Sequence, residues 1–381
     1  MRSIRTKMLR ATPLFKVFMP PEADRAVLDV LHSGYIAEGP KVKKFGELVA
    51  DFIGNPYVVP VSSCTMALAI AYRLANIGPG DEVISTPLTC IATNTPLLEL
   101  GARIVWADCE ARTGMIDPRK IEPLIRRKTK AIVVLHKDGD LAKMNEILAI
   151  AKKHNLKVIE DAAHVFGARY KGKIVGNIGD YTCFSFQAVK QLTTGDGGAL
   201  VCKNKKDYEL AKKIKWFGMD KTEHHRHANI WMDDISVLGY KGNMNDISAA
   251  IGITQMKYFG EIIRKYHRNG ELYSKLLRGT LGVELIERDK ENYPVYWTYV
   301  ILCENRDKIM QVLGKHGVAS GIVHPRNDSY SLFKKFKRDL PAVDYYSTRE
   351  LSLPCGWWVG EKEIRRIAGI IKNSISGHEN K

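Results

Sequence analysis

The sequence predicts an α/β protein: a large unit on a mostly parallel mixed sheet between helices, followed by a smaller C-terminal α+β unit. Three observations carry this expectation. Short apolar runs (Val58 to Val61, Glu82 to Ser85, Arg103 to Ala107, Ala131 to Leu135, Lys157 to Ile159) alternate with helical stretches, the pattern of a largely parallel sheet. A long helical stretch, NDISAAIGITQMKYFGEIIRKYHRNGELYSKLL, begins near Asn245 and carries the chain out of that pattern. Beyond it the sequence reads as a strand (Tyr296 to Cys303), a helix (Asp307 to His316), a short strand (Leu351 to Leu353) and a last helix (Glu361 to Lys372). The expected division is therefore residues 1–260, including an N-terminal arm, and residues 261–381.

In chain order, MRSIRTKMLRATPLFKVFMPP is basic but lacks the apolar centre and cleavage site of a secretory signal. It shares Arg content and scarce acids with transit peptides, and a structural arm is the expected reading. PEADRAVLDVLHSG and KVKKFGELVADFIG read as helices ending at Gly34 and Gly54. Four strand ends then carry chemistry, and in an α/β sheet ligands bind beyond the carboxyl ends of strands. The first, VSSCTMALAI, places Ser62, Ser63, Cys64 and Thr65 where a helix begins, which suits either an anion or simple capping. In the second, STPLTCIATNTPLLELGA, Thr86, Thr89, Thr93 and Asn94 either face a ligand or cap a helix. In the third, KVIEDAAHVFGARYKGK, an apolar strand stops at Glu160-Asp161, with His164 three residues on. A carboxylate there needs a cation, a metal or a protonated ring nitrogen, and a structural salt bridge is the plain alternative.

The fourth is FSFQAVKQLTTGDGGAL. A strand (Tyr181 to Phe186) is followed by Lys190, a turn with Thr193, Thr194, Gly195, Gly197 and Gly198, and a second strand (Ala199 to Cys202). A lysine between two core strands must face a cavity, be paired or be covalently used, because a buried free ammonium is costly. Taken together the four ends offer an anion cradle, a carboxylate, a histidine and a lysine. That is the set pyridoxal phosphate requires for its phosphate, pyridine nitrogen and aldehyde.

Composition narrows the alternatives. Apolar residues make up 45% and charged residues 26%, ordinary for a soluble globular chain, and no apolar run is long enough to span a bilayer. The net charge of +16 is spread along the chain without a nucleic-acid-binding signature, leaving a solvated surface or a phosphate-bearing substrate. The seven cysteines are dispersed and form no CxxC pair, as expected of reduced thiols in the cytoplasm. His224 to His227 (HHRH) lacks strand or helix spacing, so no metal site is expected.

GPGDEVIS, the IEDAAH block, FSF followed by lysine and a Thr-Thr-Gly-acid-Gly-Gly turn, and GYKGNMNDISAAIG together identify a resemblance. From about Pro20 to the last helix, the chain resembles the DegT/DnrJ/StrS-type sugar aminotransferases, of the aspartate-aminotransferase fold (PLP-dependent transferase fold type I). The resemblance implies Lys190 as the Schiff-base lysine, Asp161 as partner of the pyridine nitrogen, and His164 near the phenolic oxygen of pyridoxal 5'-phosphate. It further implies phosphate contacts at Ser185 and the Cys64-Thr65 turn. Lys241 occupies the position that reaches the neighbouring subunit's phosphate, which implies a homodimer with shared sites.

Four stretches depart from the family pattern. Cys64 replaces a glycine in the phosphate turn, and Cys90 stands in place of the aromatic residue that stacks on the cofactor ring. His136-Lys137-Asp138-Gly139-Asp140 replaces His-Leu-Tyr-Gly-Gln, and Gln187 replaces a common histidine. The implied reaction moves an amino group from an amino acid, glutamate in most of the family, to a nucleotide-linked keto-deoxysugar. Two competing readings are a keto-sugar dehydratase on the same fold, which carries histidine at the lysine position, and an inactive binding protein. His324, Pro325, Arg326, Asn327 and Tyr330 are expected either near the site or in a surface loop.

Overall fold

The computed structural model describes residues 11–220 and 234–376; the HHRH stretch lies outside the described residues. Twelve strands occur among these residues. In chain order they are β1 (Val58–Val61), β2 (Glu82–Ser85), β3 (Arg103–Trp106), β4 (Thr129–Leu135), β5 (Lys157–Asp161), β6 (Arg169–Tyr170) and β7 (Lys173–Ile174). They continue with β8 (Tyr181–Ser185), β9 (Gly198–Cys202), β10 (Val283–Leu285), β11 (Tyr299–Cys303) and β12 (Glu350–Leu353).

A seven-stranded sheet has the order β1-β9-β8-β5-β4-β2-β3. The pairs β3–β2, β2–β4, β4–β5 and β5–β8 are parallel, and β9 runs antiparallel to both β8 and β1. The predicted mostly parallel mixed sheet is therefore present. Residues Ala131 to Leu135 of β4 are all buried, which is why this strand reads as an unbroken apolar run: helices seal both faces. One covering helix is α3 (Cys64–Leu74), whose residues from Ala67 to Tyr72 are wholly buried. Because β9 reverses the direction twice, β1 points the same way as the parallel strands. The ends of β1, β2, β4, β5 and β8 thus share one edge.

The C-terminal part contains the three-stranded antiparallel sheet β10-β11-β12 with its own apolar cluster, including Tyr273, Tyr299, Leu313, Leu351 and Ile367. The arm residue Thr12 forms a parallel bridge with Val318, and the Trp357 and Trp358 indoles donate to the Lys16 and Pro13 carbonyls. The helix Asp246–Leu277 runs unbroken through residue 260 and contributes Tyr273 and Leu277 to the C-terminal cluster.

Several strand limits shift from the sequence expectation, and two of the shifts have a structural reason. β5 continues through Glu160 and Asp161, so the two carboxylates alternate across the sheet. β11 starts at Tyr299 instead of Tyr296, because Tyr296 adopts φ +44° and turns the chain before the strand begins.

One long-range cap holds two helix starts together. Helix α2 (Pro40–Ile53) has Gly39 at its N-cap and no side-chain cap of its own. Asp246, the first residue of the long helix, supplies it: its carboxylate accepts from the amides of Gly39 (2.9 Å), Lys41 (3.0 Å) and Val42 (2.9 Å). The Asp246 amide in turn donates to the Ala37 carbonyl at 2.8 Å. A buried anion receiving three otherwise orphaned amides is strongly favourable. Asp246→Ala should lower the unfolding free energy by about 2 kcal/mol or more. Asp246→Asn should lose less in the same urea titration, and an unchanged midpoint for Asp246→Ala would contradict the assignment.

Candidate active site

At the shared strand edge, Gly198 of β9 pairs with Val61 of β1 on one side and Ser185 of β8 on the other. This register sets the turn Ser62-Ser63-Cys64 beside Ser185. A Cβ at Gly198 would lie 2.5 Å from the Ser63 carbonyl carbon and 2.6 Å from the Cys64 nitrogen, so only glycine allows the two backbones to meet. Ser63 caps α3, accepting from the Met66 amide at 3.1 Å, and Thr65 sits half-buried in the first turn. The start of α3, with Ser185 alongside, is an amide-rich end suited to a phosphate. Ser185 is buried, and its hydroxyl accepts from the Gln187 amide at 3.3 Å.

Asp161 closes β5 and is 3% exposed. Its Oδ2 accepts from Thr93 Oγ1 at 2.6 Å and its Oδ1 from the Ala163 amide at 3.1 Å. Cys64 Sγ lies 3.9 Å from Oδ1 and 3.4 Å from the Cys183 carbonyl, so the residue that replaces the expected glycine points at this carboxylate. Burial raises the Asp161 pKa, opposed by the Thr93 and Ala163 hydrogen bonds and by Lys190. On the other face, Glu160 is satisfied by Gly179 N (2.7 Å), Thr182 Oγ1 (2.7 Å) and His136 Nε2 (2.9 Å), a structural role. The second strand end has a supporting function: Thr89 Oγ1 meets Thr93 Oγ1 at 2.6 Å, and Ser85 donates to Asn94 at 2.7 Å.

Lys190 forms no ion pair among the described residues; its Nζ lies 3.6 Å above the Trp297 ring. Burial pushes its pKa down to about 8, against the pull of Asp161, Cys64, Cys90 and Asp138. The Trp297 indole donates to the Val189 carbonyl at 2.8 Å, fixing it to the same turn. His164 stacks on Trp297 with ring centres 3.9 Å apart, and His324 lies parallel to it at 5.5 Å. Burial, with Lys190, His324 and Lys137 nearby, holds His164 well below the usual imidazole range. Burial and Lys190 bring His324 down to about 4.

The structure thus brings Lys190, Asp161, His164, Ser185, Cys64 and Thr65 to one edge. Cys90 precedes helix α4 (Ile91–Glu99), where burial raises its thiol and Asp161 and Lys190 both act on it. Lys241 is exposed: its Nζ donates to Asn243 at 3.0 Å and lies 3.6 Å over Trp216. Its segment flanks the cradle, since the Ser62 amide donates to the Gly242 carbonyl at 2.8 Å. Of the C-terminal candidates, Asn327 is buried and ties to Asn94 (2.8 Å) and the Thr89 carbonyl (2.7 Å). Arg326 is engaged by Asp328 and Asp344, and Tyr330 is exposed.

Trp297 is a contact the motifs did not reveal, because it arrives from a strand lead-in more than a hundred residues away. A cavity of about 760 Å³ lined by Val42, Pro60, Tyr208 and Lys215 contains none of these groups, so chemistry and not volume locates the site. A cradle at a helix start, a buried carboxylate and a lysine with a depressed pKa fit a phosphate-bearing pyridine aldehyde.

Residues 19–372 match the DegT/DnrJ/EryC1/StrS aminotransferase family. The UDP-4-amino-4-deoxy-L-arabinose–oxoglutarate aminotransferase of Shewanella sediminis is 30% identical, over 95% of this chain and 98% of its own. The sugar aminotransferase CalS13 from Micromonospora echinospora superimposes with a TM-score of 0.90 at 33% identity, covering 95% of this chain and 99% of its own. Spr1654 from Streptococcus pneumoniae, solved in its PMP-form, has a TM-score of 0.90 at 25% identity over 96% of this chain and 99% of its own.

Competitive amine labelling of the cofactor-free chain should find Lys190 titrating near pH 8, well below an ordinary lysine. Because Asp161 holds the Lys190 value up, Asp161→Asn should move its midpoint lower still. A midpoint in the ordinary lysine range would contradict the buried environment.

Proposed function

The chain belongs to the DegT/DnrJ/EryC1/StrS aminotransferase family, and from that premise we propose that it transfers an amino group from L-glutamate to a nucleotide-linked keto-deoxysugar. The observation that carries the reading is a half-buried lysine, with no ion pair among the described residues, near a buried carboxylate at one sheet edge. Its cofactor is pyridoxal 5'-phosphate, in keeping with the PLP-form and PMP-form of its structural neighbour. When bound, the cofactor supplies an aldehyde that condenses with amines and a ring that draws electrons from the adjacent carbon.

Each residue then has a defined task. The α3 start and Ser185 would hold the phosphate. Asp161, its oxygens fixed by Thr93 and Ala163, would hold the pyridine nitrogen and keep it protonated. Lys190, with its pKa brought down to about 8, is substantially neutral in mildly alkaline solution. It can take a proton from the donor Cα and return one. The Trp297 ring covers one side of the lysine amine and is backed by the stacked His164.

Two features support the substrate class. The Shewanella relative is named for an activity that couples a UDP-linked amino sugar with oxoglutarate. The net charge of +16 favours a diphosphate-bearing substrate. We further propose a homodimer in which Lys241, exposed beside the cradle, contacts the partner's phosphate, acting in the cytoplasm. The described cysteines are all free, consistent with a reducing compartment.

The loaded enzyme should be bleached by L-glutamate and then aminate a nucleoside-diphosphate 4-keto-6-deoxyhexose, read by product mass. Lys190→Ala should lower turnover on the order of a thousandfold. In wild type, borohydride should leave the cofactor mass on the Lys190 peptide. Failure to take up the cofactor would overturn the reading, and loss of the sugar 3-hydroxyl without amine gain would favour the dehydratase.

A further inference from the structure

The loop after β4 departs from the family pattern, and its geometry gives it a role. The Asp140 amide donates to the Lys137 carbonyl at 2.9 Å, with φ +54° at Asp138 and +95° at Gly139. Both central residues are left-handed, as in a type I′ turn, and Asp-Gly is a favoured pair for it. A Cβ at Gly139 would lie 2.3 Å from the Trp297 nitrogen, so the turn packs directly on the lead-in to β11. The Val295 amide donates to the Gly139 carbonyl at 2.8 Å and locks that contact.

The turn is also tethered electrostatically. Lys137 is buried, and its Nζ bridges Asp138 Oδ2 (2.6 Å) and Glu350 Oε2 (2.8 Å) on β12, with the Tyr346 ring 5.2 Å away. Burial alone would lower the Lys137 pKa, but Asp138 and Glu350 together raise it well above the ordinary value, so it remains charged. Asp140 adds a second tie through Arg288 at 2.8 Å. Breaking a buried pair by removing one partner leaves an uncompensated charge, which makes this anchor stiff.

The consequence falls on His164. The backbone amide of Asp138 lies 3.2 Å from His164 Nδ1. An amide can only donate, so Nδ1 must be the acceptor. The groups facing the ring are Lys190, His324 and Lys137, and they reinforce the effect of burial in keeping it neutral. A neutral ring with an unprotonated Nδ1 carries its hydrogen on Nε2.

We infer that Lys137, by bridging Asp138 to Glu350, is a positioning residue that holds His164 in the Nε2–H tautomer, making it a fixed hydrogen-bond donor and not a base. Proton movement is then left to Lys190. The inference deepens the reading above and rests on it only for what the Nε2 hydrogen faces. The tautomer itself can be read without cofactor or sugar, so the two can fail separately.

The experiment is nitrogen NMR of the full-length chain labelled with ¹⁵N-histidine, using His164→Gln to assign the His164 signals. Wild type should show a single neutral Nε2–H form across neutral pH. Lys137→Met should lose that single population and show both tautomers, and Lys137→Arg should restore it. If Lys137→Met does not fold, Glu350→Gln, which removes one of the two anchors, should broaden the population in the same direction. A wild-type His164 protonated on Nδ1 would overturn the inference. A folded Lys137→Met or Glu350→Gln variant with a lowered melting temperature but an unchanged tautomer would reduce Lys137 to a structural role and overturn it equally.

Discussion

The site depends on keeping the Lys190 amine largely desolvated, with no ion-pair partner in contact among the described residues. An ammonium in that position is disfavoured by desolvation, and the nearest help is the face of Trp297 and the more distant field of Asp161. The result is an amine whose charged and neutral forms lie close in free energy near working pH. The surrounding structure preserves that balance. Thr93 and Ala163 occupy the Asp161 oxygens, and the Trp297 indole is tethered to the Val189 carbonyl beside the lysine.

This balance requires parts from distant stretches of chain. The parallel strands deliver Asp161 and Ser185 to one edge, and the reversal at β9 brings the α3 start beside them. The C-terminal part contributes Trp297 and His324, while Asn327 ties to Asn94 of α4 and Glu350 fixes the β4 turn. The N-terminal arm reaches the same column, because Phe15 stacks on Trp297 at 4.9 Å. A change in how the C-terminal strands sit would therefore be felt at the lysine.

Much of this was legible in the sequence, for definite reasons. The strands of the large sheet are buried on both faces, so β1, β2, β4 and β8 are apolar runs that announce themselves. Lys190 and Asp161 stood out because charged groups ending such strands need an explanation. Strand limits were less visible: β5 runs on through Glu160 and Asp161 because both find buried partners, which no local pattern reports. The contributions of Trp297, Asn327 and Glu350 depend on contacts across one to two hundred residues. Asp246 looked like the ordinary start of a helix, and its capping of α2 appears only when both helix ends meet. The Asp138-Gly139 pair did carry a local signal for its turn, although nothing local shows that its amide meets His164.

The central claim is that Lys190 is the group that moves the proton on the amino-acid donor. Exchange of the L-glutamate Cα hydrogen in deuterated buffer, followed by proton NMR with the cofactor-loaded enzyme and no sugar present, tests it most directly. The account predicts wash-out of that hydrogen by wild type, its loss in Lys190→Ala, and partial return when a small primary amine such as ethylamine is added. Continued exchange by Lys190→Ala without added amine would contradict it.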